Sequence, residues 1–317
     1  MRSALLLVLL LGVQARADAP GSWWLGFVDQ AGRAFLEIPA QGRTCAERAR
    51  LAARAAPAPG EVVLSSLPAA SQLPDGARLT FGVTDLAGEY GERVFTRIAA
   101  IGREDERARP SLQPACLYLV EAGAARPGSR VQEDRVAVAV HPPRRVPVAR
   151  HDDAWRSFGG SAGVVGADSR FAAEADAPGW VLALVRRFLP GAQQFHAQPF
   201  DGTFTAGAAP ERLWLVGGIQ DGEGGAGQPG TYNTVNLIVQ QSSGASEILY
   251  RSGPSGGIGR DRAASFVAQV AATLDLNGDG TDEVLLRVRH YAGGGLVVLR
   301  RQGRAFGVAR VGGYEGE

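Results

Sequence analysis

Phe266-Val267-Ala268-Gln269-Val270-Ala271-Ala272-Thr273-Leu274-Asp275-Leu276-Asn277-Gly278-Asp279-Gly280-Thr281-Asp282-Glu283-Val284-Leu285 runs from one apolar stretch to another through an acidic loop with two glycines. Each apolar stretch has strand length and β-forming residues, so the segment reads as strand, loop, strand. Short runs of the same kind recur on both sides of it, with Gly and Pro between them. Strand candidates are Trp180 to Phe188, Arg212 to Gly217, Val235 to Gln240, Glu247 to Arg251, Leu296 to Arg301 and Ala305 to Val311. Trp180 to Phe188 fits a short helix equally well. Two groups share one layout: Glu211 to Val216, Asn236 to Val239 and Glu247 to Tyr250, against Asp282 to Leu286, Leu296 to Leu299 and Phe306 to Ala309. Each predicts a β-meander, and repeated sheets of this kind predict a partial, propeller-like domain.

The chemistry of the chain is concentrated in the loop. Counting from Asp275, positions 1, 3, 5 and 9 are Asp275, Asn277, Asp279 and Glu283, all oxygen donors, and Thr281 at position 7 offers its backbone carbonyl. Calcium takes six to eight hard oxygen ligands in flexible geometry. Gly278 and Gly280 permit the left-handed turns that fold alternate side chains toward one point. Three facing carboxylates repel unless a cation sits among them. The expected ligands are therefore Asp275, Asn277, Asp279, Thr281 and Glu283, around a structural Ca2+. The alternative is an Asx-rich surface turn, since Asn-Gly and Asp-Gly are favoured turn dipeptides. An EF-hand needs a bidentate Glu at position 12, where this chain has Leu286 inside an apolar run.

With its aromatic start, apolar strand, loop and exit strand, the Phe266 to Leu285 segment resembles an FG-GAP or VCBS-type repeat. That resemblance implies a blade of an extracellular β-propeller, with calcium clamped in the hairpin loop by the residues just named.

Upstream, Trp23 to Val28 and Ala34 to Ile38 flank a Gly-containing turn and predict a β-hairpin. Strand alternation there buries one of Trp23 and Trp24 and exposes the other. Thr44 with Glu47 fits a capping box, and Cys45 to Ala56 predicts a helix ended by Pro57 and Pro59. Further strands are expected at Arg78 to Val83, Arg93 to Ile101, Ala115 to Val120 and Arg135 to Val140. His141-Pro142-Pro143-Arg144-Arg145-Val146-Pro147 cannot lie inside a central strand. The expected organisation is thus a signal peptide at 1–17, a β-rich domain with one helix at 18–140, a Pro-rich linker at 141–150 and a β-repeat domain carrying the calcium loop at 151–317. The fold class is mainly β.

Arg2, the Leu5 to Leu11 run and Ala15-Arg16-Ala17 form the positive end, apolar core and small-x-small cleavage site of a signal peptide. The apolar run is too short to span a bilayer, which needs about 20 residues, so the expectation is a periplasmic or secreted protein without a membrane anchor. The sequence has 33 basic residues, all Arg, and 32 acidic ones. Such a balance gives no bulk drive toward nucleic acid or anionic membrane. Cys45 and Cys116 are the two cysteines, and export favours a disulfide between them. A metal pair or catalytic thiol lacks C-x-x-C spacing and a nearby His.

Several other motifs match only by spacing. Gly159-Gly160-Ser161-Ala162-Gly163 and Gly253-Pro254-Ser255-Gly256-Gly257 fit G-x-S-x-G, yet Ser161 lacks the buried strand before it and the helix after it that a nucleophile elbow needs. Gly222 to Gly227 fits G-x-G-x-x-G, but Gln228-Pro229-Gly230 follows where a helix should open. The leading expectation is a non-enzymatic exported protein that uses a calcium-stabilised surface to bind an extracellular or periplasmic protein or glycan. The rival is a secreted hydrolase with an accessory calcium site, acting through Ser161 and His196 or through His151, Asp152 and Asp153.

Overall fold

Alternation of apolar side chains and frequent turns produce a mainly β protein, seen in a computed structural model that describes residues 22–28, 34–39, 61–62, 79–95, 98–101, 115–120, 135–151, 172–173, 177–221, 232–242, 245–252, 267–290 and 293–315. The expected helix over Cys45 to Ala56 and one partner of the Cys45 to Cys116 pair lie outside these residues.

Three antiparallel sheets form among the described residues. The N-terminal sheet holds β1 (Ser22–Val28), β2 (Ala34–Pro39), β3 (Glu61–Val62), β4 (Leu79–Asp85), β5 (Tyr90–Phe95), β6 (Ile98–Ile101), β7 (Ala115–Val120) and β8 (Arg135–His141). Their order is β3-β6-β7-β2-β1-β8-β4-β5. The expected hairpin is present, with Gly26 opposite Leu36 and Val28 opposite Ala34. Trp24 is buried, and Trp23 lies under the Arg310 guanidinium, 4.5 Å from its ring centre.

After β9 (Ala149–Arg150) come β10 (Ala172–Ala173), the helix α1 (Gly179–Phe188), β11 (Gln194–Gly202), β12 (Glu211–Asp221), β13 (Tyr232–Ser242) and β14 (Ala245–Ser252). Strands β10 to β14 lie side by side in chain order as the outer sheet. The last strands, β15 (Val267–Leu274), β16 (Glu283–His290), β17 (Gly293–Gln302) and β18 (Ala305–Glu315), form a second meander, the central sheet, with β9 beside β15. Both expected meanders are therefore present, and each sheet gains two strands, β10 and β11 in the outer one and β15 and β9 in the central one. Among the described residues no sheet closes into a barrel.

The central sheet is apolar on both faces because both faces are covered. Val284, Leu286, Val288, Val297 and Leu299 meet Phe200, Leu213, Leu215 and Ile238 of the outer sheet. Between them in sequence, Leu285, Leu296 and Val298 point the other way, to Leu25, Val138 and Val140 of the N-terminal sheet. Strand β15 is buried along all 8 residues. Its pairing with β16 shifts between Val270 and Ala272, and a bulge of this kind reverses the faces that follow it. Ala268 and Val270 accordingly join the core shared with the outer sheet, whereas Ala272 and Leu274 join the core shared with the N-terminal sheet.

Helix α1 settles the ambiguity at Trp180 to Phe188. Val181 and Val185, one turn apart, are buried against Phe195, Val216 and Leu237 on the far face of the outer sheet. A Cβ on Gly218 would lie 2.4 Å from Val185 Cγ1, so glycine there lets the helix approach the sheet. Arg186 and Arg187 sit at the negative end of the helix, and Pro190 follows it. Among the described residues no helix is long and apolar enough to cross a membrane.

The stretch 141–150 passes from β8 to β9, and so from the N-terminal sheet to the central one. Val146 is fully buried there, and its N–H donates to Thr84 Oγ1 at 3.3 Å.

Candidate calcium loop

The loop Asp275 to Asp282 closes the β15–β16 hairpin, whose last paired residues are Leu274 and Glu283. Leu276 plugs into the core between the central and N-terminal sheets, which fixes its neighbours Asp275 and Asn277 at the rim. Gly278 and Gly280 have φ of 77° and 81°. No atom would meet a Cβ at Gly280 within 4 Å, so the backbone conformation itself calls for glycine there.

The loop's side chains hydrogen-bond largely to its own backbone N–H groups. Asp275 Oδ1 accepts from Gly278 N–H at 2.6 Å and Oδ2 from Gly280 N–H at 3.0 Å. Asn277 Oδ1 accepts from Asp279 N–H at 3.2 Å. Asp279 Oδ1 accepts from both the N–H and the hydroxyl of Thr281, while its Oδ2 accepts from Asn277 Nδ2 at 2.7 Å. Glu283 is fully buried, with Oε2 accepting from Leu276 N–H at 2.8 Å. Its Oε1 makes no hydrogen bond, and Arg300 Nε lies 3.5 Å away.

Electrostatics separates the two central carboxyls. Burial pushes Glu283 up to about 7, aided by the nearby charges of Asp279 and Asp275 and opposed by the Leu276 N–H and by Arg300. Partial burial also pushes Asp279 upward, but hydrogen bonds from Thr281, Asn277 and Arg300 outweigh it and hold that carboxyl down at about 2.

Three residues from outside the loop meet it. Arg300 on β17 donates from Nη2 to Asp279 Oδ2 at 2.6 Å. Arg144, in the crossing between β8 and β9, donates to the Asp275 carbonyl at 2.8 Å. Thr203, just after β11, accepts from Asp282 N–H and donates its own N–H to Asp282 Oδ2, both at 2.7 Å. The Asp282 carboxylate therefore clamps the loop to the outer sheet. None of these partners is close in sequence, so no local motif points to them.

No protein-family model matches the chain, and neither a curated protein nor a solved structure matches it.

The donor set suits a hard cation. A buried carboxylate oxygen without a hydrogen bond, Glu283 Oε1, is the feature that a bound ion would satisfy. Among the described residues no three His, Cys, Asp or Glu side chains converge as a ready metal cluster. In the loop the reason is visible: backbone N–H groups hold Asp275, and Arg300 occupies Asp279.

The other candidates are placed only in part. His151 Nε2 lies 2.8 Å from Thr273 Oγ1, whose hydroxyl donates to the Asp201 carbonyl at 2.9 Å. Burial lowers the pKa of His151, while the charges of Asp201 and Asp282 and a hydrogen bond to the Asp201 backbone raise it. The ring thus lies within a structural network between the central and outer sheets. Asp152, Asp153, Ser161, Ser255 and Gly222 to Gly227 lie outside the described residues. His196 is buried on β11, where a Cβ on Gly217 would lie 2.1 Å from its Cε1.

Proposed function

We propose that this chain is an exported calcium-binding protein in which Asp275, Asn277, Asp279, Thr281 and Glu283 hold a structural Ca2+ in an FG-GAP-like hairpin loop. The reading rests on Glu283, a buried carboxylate with one oxygen that makes no hydrogen bond, set at the ninth position of an oxygen-donor loop. Calcium would neutralise the clustered carboxylates. The ligands come from the protein itself, which suits a structural ion and leaves no open position of the kind that catalysis requires. The protein then serves as a binding module for an extracellular or periplasmic protein or glycan.

A thermal melt tests the reading. An ion that binds only the folded state stabilises it by RT ln(1 + [L]/Kd). With Kd near 10⁻⁴ to 10⁻³ M, calcium at about 5 mM gives about 1 to 2.3 kcal/mol, or a few degrees in Tm. Wild type should show that shift on moving from EDTA to calcium, magnesium should give little of it, and Asp279→Ala should lose it. A wild-type melt indifferent to calcium would leave only a glycine-rich turn.

A further inference from the structure

Arg300 spans two of the expected ligands. Its Nη2 donates to Asp279 Oδ2 at 2.6 Å, and its Nε stands 3.5 Å from Glu283 Oε1, the oxygen without a hydrogen bond. The guanidinium is planar and presents its N–H donors as a fixed fork. A metal that used these same oxygens would displace it. Arg144 stands differently: it donates to the Asp275 backbone carbonyl at 2.8 Å, with the nearest carboxylate oxygen 3.9 Å away. Arg144 props the loop from outside, whereas Arg300 takes carboxylate oxygens that calcium would use. The Arg300 side chain is 41% exposed, which gives it a direct path into solvent.

We propose that Arg300 is a built-in counter-cation of the loop, an inference that rests on the calcium reading. In the ion-free protein it bridges Asp279 and Glu283 and keeps the loop folded; when calcium enters, the guanidinium gives up both carboxylates and turns outward. Two effects follow, and they differ in direction. Arg300 stabilises the ion-free protein by relieving repulsion among the carboxylates. It also weakens calcium binding, because its hydrogen bond to Asp279 must break and its positive charge lies beside the incoming ion. The loop is thereby tuned to bind only where calcium is plentiful, and it does not collapse where calcium is scarce.

Calorimetric titration of CaCl2 into the chelator-treated full chain tests this, with wild type, Arg300→Gln and Arg301→Gln compared. Arg300→Gln should bind calcium about tenfold more tightly than wild type and should melt at a lower temperature in chelator. Arg301→Gln is the control for lost charge, since Arg301 lies next in the same strand but pairs with Glu211 at 3.3 Å; its Kd should stay within about twofold of wild type. Binding by wild type with an equal or weaker Kd in Arg300→Gln overturns the counter-cation alone. No binding heat in any protein overturns it together with the calcium reading. Binding by Arg300→Gln where wild type shows none supports it. Should Arg300→Gln fail to fold, Arg300→Lys replaces it, having lost the fork that reaches both carboxylates. Tighter binding by that variant supports the proposal, and equal or weaker binding overturns it.

Discussion

At Glu283 the protein holds a carboxyl whose pKa burial has pushed from 4.5 to about 7. The folded value lies above the unfolded one, so folding favours the protonated form. The stability linked to this group is fully present below about pH 4.5 and is lost as pH rises through about 7. Over that window the difference amounts to about 3 kcal/mol. Glu283→Gln keeps an acceptor for the Leu276 N–H and removes the charge. In EDTA at pH 8 the variant should be more stable than wild type by about 2 to 3 kcal/mol, with a flatter dependence between pH 5 and 7. Urea melts of both proteins across that range check this, and parallel curves would contradict it. The same substitution should weaken calcium binding, because the oxygen without a hydrogen bond is also an expected ligand.

Among elements, the polar contacts between the central and outer sheets are as specific as the apolar ones. Among the described residues, strand β15 has only the two-residue β9 along its free edge. Farther along that edge Ala268 N–H donates to Asn236 Oδ1, and Val270 N–H to Gln198 Oε1, so side chains of the outer sheet satisfy the edge of the central one. Asp282 extends this seam into the loop through Thr203. Asp282→Ala should therefore cost about 1 to 3 kcal/mol in EDTA and in calcium alike, by leaving the Thr203 N–H without its acceptor. The calcium-dependent shift itself should survive. Thermal melts in the two conditions separate these effects, and a variant as stable as wild type would show that the clamp contributes nothing.

The strands and the loop were legible because their signals are local. Val284 to Leu286 is an unbroken apolar run, and Asp275 to Glu283 carries its donors within a single loop. Arg300, Arg144 and Thr203 were not legible, since register and layer stacking bring them to the loop and no spacing rule reaches that far. The bulge in β15 was equally hidden: Val270-Ala271-Ala272 is apolar throughout, so no polar residue marks the reversal of faces. Helix α1 could not be told from a strand until the outer sheet supplied a face for Val181 and Val185.

For the whole molecule, the order of layers follows from which sheet is apolar on both sides. The central sheet lies between the N-terminal and outer sheets, and α1 covers the far face of the outer one. The loop Asp275 to Asp282 stands at the junction of these layers. Arg144 reaches it from the crossing out of the N-terminal sheet, Thr203 from the outer sheet and Arg300 from the central sheet itself. An ion in the loop would thus act on more than one hairpin, and its binding energy would be shared with the contacts that join the layers. Hydrogen–deuterium exchange of the full chain, with and without calcium, measures this most directly. The account predicts slower exchange on calcium addition in three separate segments, around Asp275 to Glu283, Gly202 to Thr205 and Pro143 to Val146, with helix α1 unchanged. Identical exchange in all three segments with and without calcium would contradict it.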